Sequence, residues 1–274
     1  GVYTVPPPVV LGREGAGGVE ALGPRGKEFK VGDRVAYAQP VGAYAEVLNR
    51  PVARLVKIPE GVKDETAAAM MLKGMTAWYL IRRTYRVKKG DTILVHAAAG
   101  GVGQILCQWA KHLGATVIGT VGSDEKAALA KKAGCKHVIV ASRENIPERV
   151  KAITKGKGVP VVYDGVGKDT FMDSLDCLAP LGMMASFGNA SGAVPPVNIG
   201  ILAQKGSLFL TRPTLGNYTG SREDLLTAAR ELFAVVKKGA VKIKINQTYP
   251  LREAARAHTD LENRKTTGST VLLP

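Results

Sequence analysis

The chain has 274 residues, 45% of them hydrophobic, and carries 38 Lys and Arg against 23 Asp and Glu, a formal net charge of +15. That length holds one large domain or two moderate ones with ample core. Three cysteines far apart, Cys107, Cys135 and Cys177, with no C-x-x-C spacing, exclude a disulfide scaffold and fit a reducing compartment, the cytoplasm. No apolar run approaches the ~18 residues of a membrane helix, and no signal peptide is visible. The positive charge would attract polyanions, nucleic acid among them. The basic residues are scattered, however. The densest patch, Arg82, Arg83, Arg86, Lys88 and Lys89, has only Tyr85 among it, so solvated surface accounts for most of the charge.

In chain order, Gly1-Val2-Tyr3 before Pro6-Pro7-Pro8 reads as loop within a domain, which predicts an absent preceding segment. Short strands are predicted at 12–19, 33–38, 43–49 and 55–58, an irregular antiparallel region extending to about residue 72. From about 73 to 212 strands alternate with helices. The strands are predicted at 92–96, 116–120, 137–140, 160–163, 183–187 and 207–211, with helices at 102–113, 124–133, 144–154 and 168–179 between them. Six strands with interleaved helices are the pattern of a doubly wound parallel α/β sheet. The tail reads as a helix at 221–238, a strand at 241–248, a helix at 251–263 and a strand at 269–273. The predicted arrangement is a nucleotide domain, 73–212, inserted into a substrate domain built from 1–72 and 213–274.

Residues 92–103 carry the most chemistry. Ile93, Leu94 and Val95 form an apolar strand; small residues follow, and Ile105, Leu106, Trp109, Ala110 and Leu113 then mark the apolar side of a helix. Such a strand–turn–helix lays a pyrophosphate on a helix N-terminus, where free N–H groups and the helix dipole meet the anion. The glycine fingerprint reads Ala98-Ala99-Gly100-Gly101-Val102-Gly103, with Gly100 for close approach of the pyrophosphate and Gly103 for helix–strand packing. A tight turn without ligand is the bland alternative. The next strand ends near Val121, where an NAD enzyme would place an acid. Ser123 and Lys126 follow instead, a hydroxyl and a cation suited to a 2′-phosphate, so the residues favour NADPH over NADH. Asp124 and Glu125 count against this unless they serve as first-turn acids of the following helix. For Lys126 the bland alternative is a solvated helix lysine.

The segments Gly12-Arg13-Glu14, Val31-Gly32-Asp33-Arg34-Val35, Gly42-Ala43-Tyr44-Ala45-Glu46 and the fingerprint loop resemble the medium-chain dehydrogenase/reductases. Lys73-Gly74-Met75-Thr76-Ala77-Trp78-Tyr79, Tyr163-Asp164-Gly165-Val166-Gly167, Ser186-Phe187-Gly188-Asn189 and Ala257-His258 narrow this to the zinc-independent, zeta-crystallin-like quinone oxidoreductases. The resemblance covers essentially the whole chain. It implies a six-stranded Rossmann domain beside an irregular, mostly-β GroES-like substrate domain. Zinc dehydrogenases of this superfamily carry Gly-His-Glu where this chain has Gly12-Arg13-Glu14, and a guanidinium has no free lone pair for a metal. His96, His112, His137 and His258 show no ligand spacing, and His96 reads as a hydrogen-bonded core histidine.

By resemblance, Thr76 and Tyr79 would line the nicotinamide and phosphate side, and Gly100, Gly101 and Val102 would meet the pyrophosphate. Gly122, Ser123 and Lys126 would hold the 2′-phosphate and ribose, and Val166, Phe187, Gly188 and Asn189 would close over the nicotinamide half. Arg264 would add a cation, or only a helix-dipole partner. Tyr3 would face substrate, or be plain loop. Relatives often have a tyrosine beside the adenosine where this chain has Ala141. The implied reaction is NADPH-dependent reduction of a quinone by positioning, without metal. Reduction of an enone or enal is the alternative within the fold, and an RNA-binding or structural crystallin role the alternative outside it. The resemblance also implies a homo-oligomer, dimer or tetramer, formed through the last strand of the nucleotide domain, here 207–210, whose run is apolar enough to pair at an edge.

Overall fold

The computed structural model describes residues 6–24, 26–263 and 265–274, so the expectations for Tyr3 and Arg264 lie outside the described residues. The chain divides into two compact units, Gly1–Met75 with Tyr218–Pro274, and Thr76–Asn217.

In the first unit β1 (Glu14–Gly18), β2 (Arg34–Ala38) and β3 (Val56–Lys57) form an antiparallel sheet in that order. Val35, Ala36, Tyr37 and Ala38 are buried. The strand expected at 43–49 does not form. Gly42 and Ala43 donate their N–H groups to Gly12 O, and Tyr44 donates to Leu11 O, so the chain hangs from a turn and not from a ladder. Two helices follow that the pattern did not show, α1 (Asp64–Ala68) and α2 (Met71–Tyr79). Met70, Met71, Met75, Ala77, Trp78, Tyr79, Leu80 and Ile81 are all buried. Leu72, Lys73 and Thr76 are half-buried, and so narrow a polar side on so short a helix gives periodicity little to detect.

The second unit contains β4 (Thr92–Val95), α3 (Gly101–His112), β5 (Thr116–Val121), α4 (Asp124–Lys132), β6 (His137–Val140), α5 (Ile146–Thr154), β7 (Val159–Asp164), α6 (Phe171–Asp176), β8 (Leu178–Ser186), α7 (Gly200–Gln204) and β9 (Phe209–Thr211). Its six strands are parallel, in the order β6-β5-β4-β7-β8-β9. Ile93, Leu94, Val95, Val117, Ile118, Val161, Val162 and Tyr163 are fully buried, as strands covered on both faces must be. The helix expected at 168–179 is confined to Phe171–Asp176, because Leu178 already pairs with Val159 in β8. The strand order reverses between β4 and β7. In open α/β sheets, ligands bind beyond the carboxyl ends of the strands at such a switch point.

The chain continues through α8 (Leu215–Tyr218), α9 (Arg222–Lys237), β10 (Ile245–Pro250), α10 (Ala254–Glu262) and β11 (Ser269–Leu273). Ser221 caps α9 by accepting the N–H of Asp224 at 3.0 Å, and Leu225, Ala228, Ala229, Leu232 and Phe233 form its buried stripe. The strand expected from 241 begins only at Ile245, since the N–H of Val241 closes the end of α9 on Val235 O.

Candidate functional site

Beyond β4 the chain turns sharply through Ala97, at φ 51°, and enters α3 with Gly100 as its N-cap. No side chain caps this helix, so its first N–H groups face outward. Ala98 N donates to Thr120 O, Gly100 N to Ala97 O, and Gln104 Nε2 to Ala99 O at 2.8 Å. The turn is thus tied to β5 and to its own helix. A β-carbon on Gly103 would stand 2.3 Å from Ala97 O and 2.8 Å from Ala98 Cα, so helix and turn approach too closely for any side chain. Gly100 and Gly101 leave the cradle itself open, and Val102 is half-buried.

After β5 come Gly122, whose β-carbon would meet nothing within 4 Å, and Ser123, the N-cap of α4. The Ser123 hydroxyl holds the Glu125 carboxyl below its usual range by hydrogen bonding. Asp124 pairs with Arg143 at 2.8 Å, and that hydrogen bond lowers the Asp124 pKa. Lys126 is exposed one turn on. Arg143 is a second cation at this turn that the sequence analysis did not single out. Its partner lies 19 residues away, on the other side of β6, and no local spacing signals the contact.

Beyond β7, Asp164 is wholly buried and fully used. Its Oδ1 accepts the N–H groups of Val166 (2.8 Å) and Gly167 (3.0 Å), and its Oδ2 accepts the hydroxyls of Thr170 (2.8 Å) and Ser174 (2.7 Å). Its carbonyl accepts Phe187 N, while Ala190 N and Ser191 N bond to Gly165 O and Val166 O. These bonds join the β7 and β8 loops. A β-carbon on Gly188 would lie 2.3 Å from Gly165 O, so the join requires glycine there. Val166, Phe187, Gly188 and Asn189 are all half-buried along this seam. Thr76 and Tyr79 sit on α2; Thr76 is half-buried, whereas Tyr79 is buried at 2% exposure.

Comparison with known proteins agrees with this geometry. Residues 101–234 match the zinc-binding dehydrogenase family model, and residues 1–60 match the alcohol dehydrogenase GroES-like domain. A quinone oxidoreductase of Pseudomonas aeruginosa is 57% identical over all of this chain and 85% of its own. The chain belongs to the quinone oxidoreductase family. The crystal structure of Escherichia coli quinone oxidoreductase complexed with NADPH superimposes with a TM-score of 0.96 at 51% identity, over 100% of this chain and 85% of that one. A 2-haloacrylate reductase of Burkholderia is 49% identical over 98% of this chain and 82% of its own.

Within this family frame the Gly12-Arg13-Glu14 segment has a structural task. Glu14 Oε2 accepts the N–H of Leu72 and Oε1 accepts Lys73 Nζ, each at 2.8 Å, which anchors the first turn of α2. Among the described residues, no three His, Cys, Asp or Glu side chains come together as a metal site would require.

Proposed function

We propose that this chain reduces quinones with NADPH, by positioning the reactants and without a metal ion. The observation that carries the reading is the glycine-only contact at Gly103 beside the uncapped N-terminus of α3, placed at the switch point of a sheet with this strand order. The residues fit the dinucleotide. Gly101 and Val102 offer N–H groups to a pyrophosphate, and Gly100, whose own N–H is taken by Ala97 O, leaves room for its close approach. Lys126 offers a cation to a 2′-phosphate, the Ser123 hydroxyl would turn to it from Glu125, and Arg143 offsets the charge of Asp124 beside them. Val166, Phe187, Gly188 and Asn189 would flank the nicotinamide half, with Thr76 as a further contact and the buried Tyr79 behind it on α2. When bound, the dinucleotide supplies a hydride donor. Arg13 stands where a metal-ligating histidine would be required, so the protein's contribution is orientation and exclusion of water.

The acceptor is a small quinone. A second reading, reduction of an activated C=C bond, is favoured by the likeness to the 2-haloacrylate reductase. Loss of reduced-nicotinamide absorbance with a p-quinone, with an α,β-unsaturated ketone and with a strong chelator present separates the readings. Turnover of the quinone, unchanged by chelator, supports the proposal. Turnover of the ketone alone gives the second reading, and loss with chelator refutes the metal-free mechanism.

No described helix is long and apolar enough to cross a membrane. A cytoplasmic homodimer is proposed, on the buried reduced thiols and on β9, whose Phe209 and Leu210 are 56% and 42% exposed along a sheet edge.

A further inference from the structure

One hydrogen-bonded chain runs beneath the loops just described. Thr120, the next-to-last residue of β5, reaches His96 Nδ1 at 2.9 Å. His96, directly after β4, reaches Ser174 Oγ through Nε2 at 3.0 Å, and Ser174 on α6 donates to Asp164 Oδ2 at 2.7 Å. All four residues are buried, His96 at 1% exposure and Asp164 at 0%.

The direction of each bond follows from counting protons. Ser174 has one hydroxyl proton, and it goes to the carboxylate, so Ser174 Oγ accepts from His96 and Nε2 carries the hydrogen. Burial keeps the imidazole neutral by lowering its pKa. Nδ1 is then an acceptor, and the Thr120 hydroxyl donates to it. Every donor in the chain points toward Asp164, and each bond polarises the next. Asp164 in turn holds the N–H groups of Val166 and Gly167, while the carbonyl of Thr120 holds Ala98 N of the fingerprint turn.

We infer that Thr120, His96, Ser174 and Asp164 form a brace that sets the spacing of the three strand-end loops on which the dinucleotide lies, with His96 as the positioning residue at its centre. The inference rests on the cofactor reading above. Past the ladder, backbone pairing between these strand ends is reduced to single bonds, and none of those bonds spans all three ends. His96 N still bonds to Tyr163 O, the last point at which β4 and β7 are tied. Beyond it, Ala98 N still bonds to Thr120 O between the β4 and β5 ends, and the side chains of Thr120, His96, Ser174 and Asp164 run continuously from the β5 end past β4 to the β7 end.

The experiment measures NADPH and NADH dissociation constants by nicotinamide fluorescence, well below each variant's melting temperature, for wild type, His96→Phe, His96→Gln, Ser174→Ala and Lys126→Ala. His96→Phe keeps an aromatic of similar shape and removes both bonds; affinity for both nucleotides is expected to fall by about tenfold, as misplaced positioning groups do. His96→Gln, which keeps a donor toward Ser174, recovers part of that loss. Ser174→Ala breaks the brace with a smaller perturbation, should the phenylalanine variant not fold. In the quinone assay kcat falls with these substitutions and the quinone KM does not. Lys126→Ala, by contrast, weakens NADPH alone. Folded His96 and Ser174 variants with lowered melting temperature but wild-type dissociation constants would overturn the brace and leave the cofactor reading standing. A wild type that binds neither nucleotide would overturn both.

Discussion

A β-carbon on Gly103 would lie 2.3 Å from the carbonyl oxygen of Ala97, a backbone atom that no rotamer change can move aside. Gly103→Ala must therefore push α3 away from the fingerprint turn, at a cost of about 1–3 kcal/mol for an overpacked contact. NADPH affinity should fall by more than about tenfold, because the N–H cradle moves with the helix. A titration showing wild-type affinity would mean that the pyrophosphate does not lie on this turn.

Lys126 and Arg143 divide the work at the β5 end differently. On the proposed reading, in which Lys126 meets the 2′-phosphate, Lys126→Ala should weaken NADPH about tenfold while leaving NADH unchanged. Arg143→Ala releases Asp124 from its 2.8 Å pair. The uncovered carboxylate then repels the same phosphate, for a loss of roughly twofold to fivefold that shrinks as salt is raised. Equal losses for NADH and NADPH in either variant would remove these residues from 2′-phosphate recognition.

Burial holds the His96 pKa below its ordinary value of 6.5, with the charges of Asp164 and Asp173 offsetting part of the effect. Below pH 6.5 the unfolded chain takes up a proton that the folded chain does not. The contribution of neutral His96 to stability is therefore complete above pH 6.5 and is lost as the pH falls toward the folded-state pKa. One such group gives a slope of up to about 1.4 kcal/mol per pH unit. Denaturant unfolding of wild type and His96→Gln at pH 7.5, 6.5 and 5.5 should show a steeper loss in the wild type; parallel curves would assign the acid sensitivity to other groups.

Cys107, Cys135 and Cys177 are buried, and burial pushes the Cys177 thiol up to about 12. Thiolate is the reactive form, so native protein at pH 8 should resist alkylation for hours and release all three thiols only in denaturant. Rapid labelling of Cys177 in the native state would show that the end of α6 opens locally.

At the sheet edge, Leu210→Asp places a charge on β9 where Leu210 pairs with Met184 on one side only. If the edge joins two copies, sedimentation should show the variant shifted to monomer with nucleotide binding retained. An unchanged mass would place the contact elsewhere.

The nucleotide-binding unit was largely legible in the residues because its parts are local. An apolar run, a glycine turn and an amphipathic helix within residues 92–113 specify one strand–turn–helix, and six strands with helices between them specify the sheet. The helices at Asp64–Tyr79 were not legible, since they are short and Lys73, Gly74 and Thr76 interrupt the apolar run of the second. Nor was the loss of a strand at 43–49, where bonds to Leu11 and Gly12 replace ladder pairing. The sequence alone determined the strand order's raw material, the glycine at 103, the acid-free position at Val121 and the arginine at position 13. Tertiary structure decided which distant polar side chains meet. Arg143 reaches Asp124 across 19 residues, and His96 joins Thr120 to Ser174 across 24 and 78. Those contacts depend on where whole strands lie in the sheet, and a side chain's own neighbours in sequence carry no record of that.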